Sequence, residues 1–291
     1  MSNFLNLLIA GLATGAIYAV VAIGFTLLWQ TSQTINFAQG EFVMLPAFFM
    51  LAAMNLGLPF MLAVLVGIGL SLLVLGLLFK RVLVDPMLRH GVLPLAIATM
   101  ALSIALKESV KELYSAEAHP FPSVVPAGNV DVLGVPVSMQ SLGVLVIAVL
   151  AVVALNLLLT RTSVGHQMQA TAQNPTVARI VGIPVERMIL YTFLINAGLV
   201  ALGSLLVTPI YLAKFSTGEI LGQAAFIAAI VGGFNQVRGA VAGGLLLGVV
   251  DNLAAAYVSA QYRAAVPLFL LIVIILFRPQ GLLGRVEERT V

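Results

Sequence analysis

Long runs without a single charged residue alternate with short connectors that hold nearly all of the charge. No Asp, Glu, Lys or Arg precedes Glu41, and further uncharged runs cover residues 42–79, 91–106, 132–160, 188–213 and 220–237. A helix needs roughly 20 apolar residues to cross hydrocarbon, and a backbone in lipid must satisfy its own hydrogen bonds. The pattern predicts an all-α fold, a polytopic transmembrane helical bundle of about 8–9 spans. The expected spans are about 4–29, 37–54, 59–79, 92–110, 141–159, 188–212, 218–234, 239–258 and 262–278. Those at 37–54 and 218–234 are short, begin near a glutamate and carry glycine. Each is therefore either a full crossing or a broken, re-entrant helix.

The connectors also assign the two sides. Assigning alternate connectors to opposite sides puts Lys80, Arg81, Arg89, Arg161, Arg179, Arg187, Arg238, Arg278, Arg285 and Arg289 together. Lys107, Lys111, Lys214 and Arg263 fall on the other side. Basic residues concentrate on the cytoplasmic face of membrane proteins, so ten against four makes the first set cytoplasmic, with the carboxy terminus inside. The segment from Ala10 through Gly40-Glu41 to Gly57 also resembles that from Leu190 through Gly218-Glu219 to Gly232-Gly233. With nine spans the two would lie in opposite orientation, a weak inverted repeat of the kind transporters use.

Composition narrows the class. The chain of 291 residues is 61% hydrophobic and only 9% charged, against about 25% charged in soluble domains. No polar stretch is long enough for a separate head, so residues 1–291 are expected to form a single transmembrane domain with a cytoplasmic loop at 161–187. The start lacks the basic flank of a cleavable signal and is expected to remain in the first span. No basic, aromatic-interleaved patch points to nucleic acid. The absence of cysteine excludes disulfides and thiolate metal sites. No catalytic, cofactor or metal constellation stands out, and no G-x-x-x-x-G-K-[ST] loop is present to cradle nucleotide phosphates.

The connector RTSVGHQMQATAQNPTVARIVGIPVER is the most structured by sequence. A first helix is expected from Val164 to Gln173. Asn174-Pro175 then fits an N-cap followed by proline at the first helical position. Val177, Ile180 and Val181 share one face, and Gly182 supplies a stop before Pro184. Two short helices in a loop of this size need something to pack against: the membrane, the chain's own spans, or another subunit.

The segment GHQMQATAQNPTVARIVGI resembles the cytoplasmic coupling region of permeases in the Liv-type branched-chain amino-acid ABC importer family. Three other stretches are similar to the same family: GAIYAVVAIGFTLLWQTSQTINFAQGEFVML, GGFNQVRGAVAGGLLLGVVDNL and RPQGLLG. The chain looks like the shorter of the two permease types that pair with each other. The resemblance implies a second related permease, two ATP-binding-cassette ATPase subunits, an extracytoplasmic substrate-binding protein and a bacterial inner-membrane setting in contact with lipid. It implies that Gln173, Asn174, Pro175, Ala178, Arg179, Gly182 and Ile183 couple to an ATPase. The longer EAA-type signature of other ABC importers is absent in its usual form. The family also includes importers of urea, amides and aromatic acids, and no residue here separates these substrates. A stand-alone ion-coupled transporter is the alternative from another class, and a passive channel a third.

Polar groups at bilayer depth are costly and mark candidate pathways. Asn36, Gln39, Glu41, Asn196 and Asp251 are the candidates. Glu41 lines the pathway, caps an adjacent helix end, or is a solvated carboxylate at the cytoplasmic interface. Asp251 either lines the pathway or bonds between helices, and Asn196 also reads as helix–helix glue. Glu219 is expected at the outer face. Gly239, Gly243, Gly244 and Gly248 form a small-residue stripe, read as close helix packing or as a face for another subunit.

Overall fold

The computed structural model describes residues 2–88, 90–132, 135–259 and 265–284. Arg89, Arg263, Arg285 and Arg289, used above for sidedness, lie outside the described residues, as does the start of the span expected at 262–278. The chain is a polytopic helical bundle. Among the described residues, six helices are long and apolar enough to cross a membrane: Phe4–Ser32, Phe60–Leu88, Val92–Tyr114, Met139–Arg161, Val185–Tyr211 and Val237–Tyr257. They form two compact units that interleave along the sequence. One comprises residues 1–26, 125–149 and 223–291, the other 27–124 and 150–222.

In the second unit, helix α1 (Ser2–Ser32) comes to its end. The Thr31 and Ser32 hydroxyls bond back to the carbonyls of Leu27 and Leu28, and Gln33 turns to φ 53°. After a short break, α2 (Gln39–Asn55) begins. Pro46 interrupts its ladder, because proline has no N–H and crowds the carbonyl one turn back. The next amide, Ala47 N–H, donates to Ser204 Oγ of α9 (Val185–Tyr211) at 3.0 Å. Gln39 bonds Asn196 of the same helix. Both pairs are 157 residues apart, so α2 and α9 run parallel.

The helix Phe60–Leu88 is continuous but not uniform. It starts as α3 (Phe60–Ser71), widens into π-helical turns over Leu72–Leu78 and Lys80–Val84, and ends as α4 (Asp85–Leu88). Gly76 lies in the first π stretch, where an added Cβ would stand 2.8 Å from Leu194 of α9. Helix α5 (Val92–Tyr114) also tracks α2. Thr99 Oγ1 accepts from Phe37 N–H near its start, and Tyr114 donates to the Phe48 carbonyl at its end.

In the first unit, a hairpin of β1 (Asn129–Val132) and β2 (Val135–Ser138) precedes α6 (Met139–Arg161). Helix α11 (Val237–Tyr257) packs between the start of α1 and the later part of α10 (Thr217–Gly232). The carboxy-terminal RPQGLLG segment follows α12 (Ala265–Phe277) and returns to α10. There Leu282 and Leu283 N–H donate to the carbonyls of Val231 and Gly232, two of the acceptors that every helix end leaves open.

Two stretches share one backbone plan. A long helix ends, a non-glycine residue takes positive φ (Gln33 at 53°, Leu212 at 64°), and a short helix starts at Gly-Glu. A glycine at positive φ (Gly57 at 86°, Gly233 at 115°) then leads to the next apolar helix.

Candidate translocation and coupling sites

The break between α1 and α2 is held open by side-chain amides. Asn36 Oδ1 accepts from Ala38 N–H at 3.0 Å, and Asn36 Nδ2 points to Gln39 Oε1 at 3.4 Å. Gln39 and Asn196 exchange both groups: Gln39 Nε2 donates to Asn196 Oδ1 at 2.7 Å, and Asn196 Nδ2 returns to Gln39 Oε1 at 3.0 Å. All three residues are buried. Two residues further on, the first turn of α2 crosses the first turn of α10. Gly40 lies against the backbone of Gly218 and Gly222, and a Cβ on Gly218 would stand 3.0 Å from the Glu41 Cα. Glu41 is buried, with the Ser103 hydroxyl as a hydrogen-bond partner. Beside it, Lys107 Nζ pairs with Glu219 Oε2 at 2.6 Å.

This crossing corrects two expectations. Glu41 is not a solvated interfacial carboxylate, because it is buried. Nor can Glu41 and Glu219 mark opposite faces of the membrane, because Gly40 and Gly218 touch.

The connector at 161–187 forms two helices and a tight stop. Thr162 Oγ1 accepts from Gly165 N–H and caps α7 (Ser163–Gln173). Gly165 sits directly on the backbone of Leu158 and Leu159, where a Cβ would collide. Asn174 Oδ1 accepts from both Thr176 and Val177 N–H at 3.0 Å and caps α8 (Pro175–Ile180), with Pro175 at the first position. At its end Gly182 takes φ 84°. Gly182 N–H bonds the Arg179 carbonyl and Ile183 N–H the Ala178 carbonyl, the two bonds of a Schellman stop. Ala178 is buried, whereas Val177, Ile180 and Val181 are exposed, Ile180 at 79%. The apolar face of α8 is therefore turned away from this chain's own core.

The family described as branched-chain amino acid transport system / permease component matches residues 7–276. The chain belongs to this permease family. It is 33% identical over 306 residues to the high-affinity branched-chain amino acid transport system permease protein BraD of Pseudomonas aeruginosa, covering 99% of this chain and 98% of that one. The permease proteins named LivH of Salmonella typhimurium and Escherichia coli K12 are 30% and 29% identical over 301 residues, again at 99% and 98% coverage. No solved structure gives a match. The permease is thus a multi-pass membrane protein and a transport subunit.

Not every candidate of the permease gathers at one place. Asn36, Gln39, Glu41 and Asn196 come together in the second unit. Asp251 lies in the first, buried, where the Tyr18 hydroxyl donates to Oδ2 at 3.2 Å. The glycines of α11 form two stripes rather than one. Gly244 and Gly248 face Ala19 and Gly15 of α1, while Gly239 and Gly243 face Gly232 and Ala228 of α10. Both stripes are used within the chain, which leaves neither as a face for another subunit. Sequence reasoning missed Ser103 and Lys107 as neighbours of Glu41. It also read Lys80 only as a connector charge and passed over Glu186. The run Lys107, Glu108, Lys111, Glu112 was the available signal, an abrupt polar stripe on an otherwise apolar helix.

Proposed function

We propose that the protein is the membrane-spanning permease of an ATP-binding-cassette importer, passing branched-chain or closely related small amino acids handed over by an extracytoplasmic binding protein. The observation that carries this reading is the family match along residues 7–276, joined by relatives of nearly equal length whose names specify branched-chain amino acid transport. A second permease and two ATPase subunits complete the assembly. The chain has no nucleotide-binding loop of its own, so hydrolysis belongs to those partners. The side rich in arginine is cytoplasmic, with the carboxy terminus and α7–α8 on it.

In this reading α8 docks on an ATPase through Val177, Ile180 and Val181, with Gln173, Asn174, Pro175, Ala178, Arg179, Gly182 and Ile183 shaping and flanking the docking surface. At 17 and 16 residues, α2 and α10 are about 25 Å and 24 Å long, short of the roughly 30 Å of hydrocarbon. Their meeting at Gly40–Gly218 fits two partial crossings that start inside the bundle. Glu41, with Lys107 and Glu219 beside it, lines the pathway. Asn36, Gln39 and Asn196 hold its wall, while Asp251 and the α11 glycines support packing within the first unit. ATP-driven closure of the ATPases shifts α7 and α8 only if docking differs in strength between the two states.

Reconstitution tests this reading. Liposomes holding the whole complex should accumulate leucine only with ATP on the ATPase side and binding protein on the other. Leucine uptake by this chain alone on an ion gradient would establish an ion-coupled transporter instead. ATP-driven uptake of urea without leucine would keep the importer and change the substrate.

A further inference from the structure

Glu186, in the first turn of α9, holds two separate elements with its two carboxylate oxygens. Oε1 lies 3.0 Å from Arg179 Nη2 of α8, and Oε2 lies 3.8 Å from Lys80 Nζ. Lys80 is only 8% exposed and is held again by Asp85 at 3.0 Å. A buried ammonium must keep its partners, because removing them leaves an uncompensated charge. Asp85, on the same helix, holds this ammonium closely, and Glu186 links it to α9. The Arg179–Glu186 pair is exposed, and such pairs contribute little to stability. Its significance lies in what it connects.

Lys80 belongs to the π-helical part of the Phe60–Leu88 helix. Its chain neighbour Phe79 stands between the two π stretches, and the Phe79 N–H reaches back to the Val74 carbonyl. The Phe79 ring packs edge-on against Phe42, with centroids 4.8 Å apart, and tilts on Phe193 at 5.9 Å. Phe42 follows Glu41 directly, and Phe193 lies one turn before Asn196. A continuous series of contacts thus runs from α8 through Glu186, Lys80 and Phe79 to the crossing of α2 and α10. At its middle stands a segment with wide turns, a geometry frequent at functional sites. Coupling between distant sites needs such an element with two arrangements, not proximity alone.

We infer that Glu186 and Lys80 are positioning residues that transmit movement of α8 to the Glu41 crossing, with the π-helical turns as the element that switches. The inference rests on the importer reading. It is tested in the complex purified with its ATPase and binding-protein partners, by comparing ATPase stimulation by leucine-loaded binding protein with the basal rate. Glu186→Gln and Lys80→Met should each retain assembly and basal hydrolysis yet lose stimulation and leucine uptake together, by about fivefold or more. The double variant should lose no more than the worse single one, because both act on one path. Glu186→Asp should restore most of the stimulation. Unchanged stimulation in Glu186→Gln, or losses that add in the double variant, would overturn the inference. Should Lys80→Met fail to assemble, Glu186→Gln and Glu186→Asp decide alone. A wild-type complex without ATP-driven uptake would instead sink the importer reading itself.

Discussion

Gly40 and Gly218 meet backbone to backbone, each at the start of a short helix and each followed by a glutamate. No side chain fits between them. Gly218→Val should therefore force the two helices apart, a loss of about 1–3 kcal/mol from overpacking. The check is the monodisperse fraction in detergent by size exclusion, which should fall sharply. Gly69→Ala is the control, since nothing lies within 4 Å of an added Cβ there. It should leave the yield unchanged or raise stability by about 0.5–1 kcal/mol, as alanine replaces glycine within a helix.

The reciprocal amide pair gives a second expectation. Asn196→Leu removes both bonds to Gln39 and strips the buried Gln39 Nε2 of its acceptor, leaving Oε1 only the 3.4 Å approach of Asn36 Nδ2, at a cost of about 1–3 kcal/mol. Gln39→Leu in the same background removes the orphan. The double variant should then lose less than the sum of the singles in thermal unfolding followed in detergent.

Glu41 should matter for transport more than for folding. Glu41→Gln keeps the shape and a hydrogen-bonding group beside Ser103 but removes the ionisable carboxyl. Leucine uptake by the reconstituted complex should drop by about tenfold, while co-purification with the ATPase stays normal. Lys107→Met should lower uptake in the same assay. Unchanged uptake in both variants would leave Glu41 and Lys107 as packing residues only.

The stop at Gly182 should control docking. Proline cannot adopt φ 84° and lacks the N–H that bonds the Arg179 carbonyl, so Gly182→Pro should abolish ATPase association with membrane insertion intact. Asn174→Ala loses the cap on α8, worth about 1 kcal/mol, and should weaken association partially. Pull-down of the ATPase with the tagged permease reads both.

Much of this was legible in the chain because lipid is a demanding solvent. Most helix positions followed from uncharged runs to within a few residues, though the helix expected to stop at 79 runs on through Lys80 and Arg81 to Leu88. Asn174, Pro175 and Gly182 announced the caps they form. The two stretches that share positive-φ turns before and after a short helix were marked by their paired Gly-Glu steps. Span count was harder, because α2 and α10 are apolar but shorter than the six long helices, and apolarity alone does not say where a helix begins in depth. The Gly40–Gly218 contact joins residues 178 positions apart, and no local pattern encodes it. Lys80 looked like an ordinary interfacial lysine. Only the fold shows it buried between Asp85 and Glu186. The two glycine stripes of α11 merged into one on paper because each repeats every four residues and they interleave.

The most direct measurement of the central claim uses the absence of native cysteine. Ile180→Cys places one thiol on the exposed face of α8. A membrane-impermeant maleimide should label it only in inside-out vesicles, and the assembled ATPase should protect it from that label. Labelling from the outside of intact cells, or labelling in vesicles that the ATPase leaves unchanged, would contradict the account.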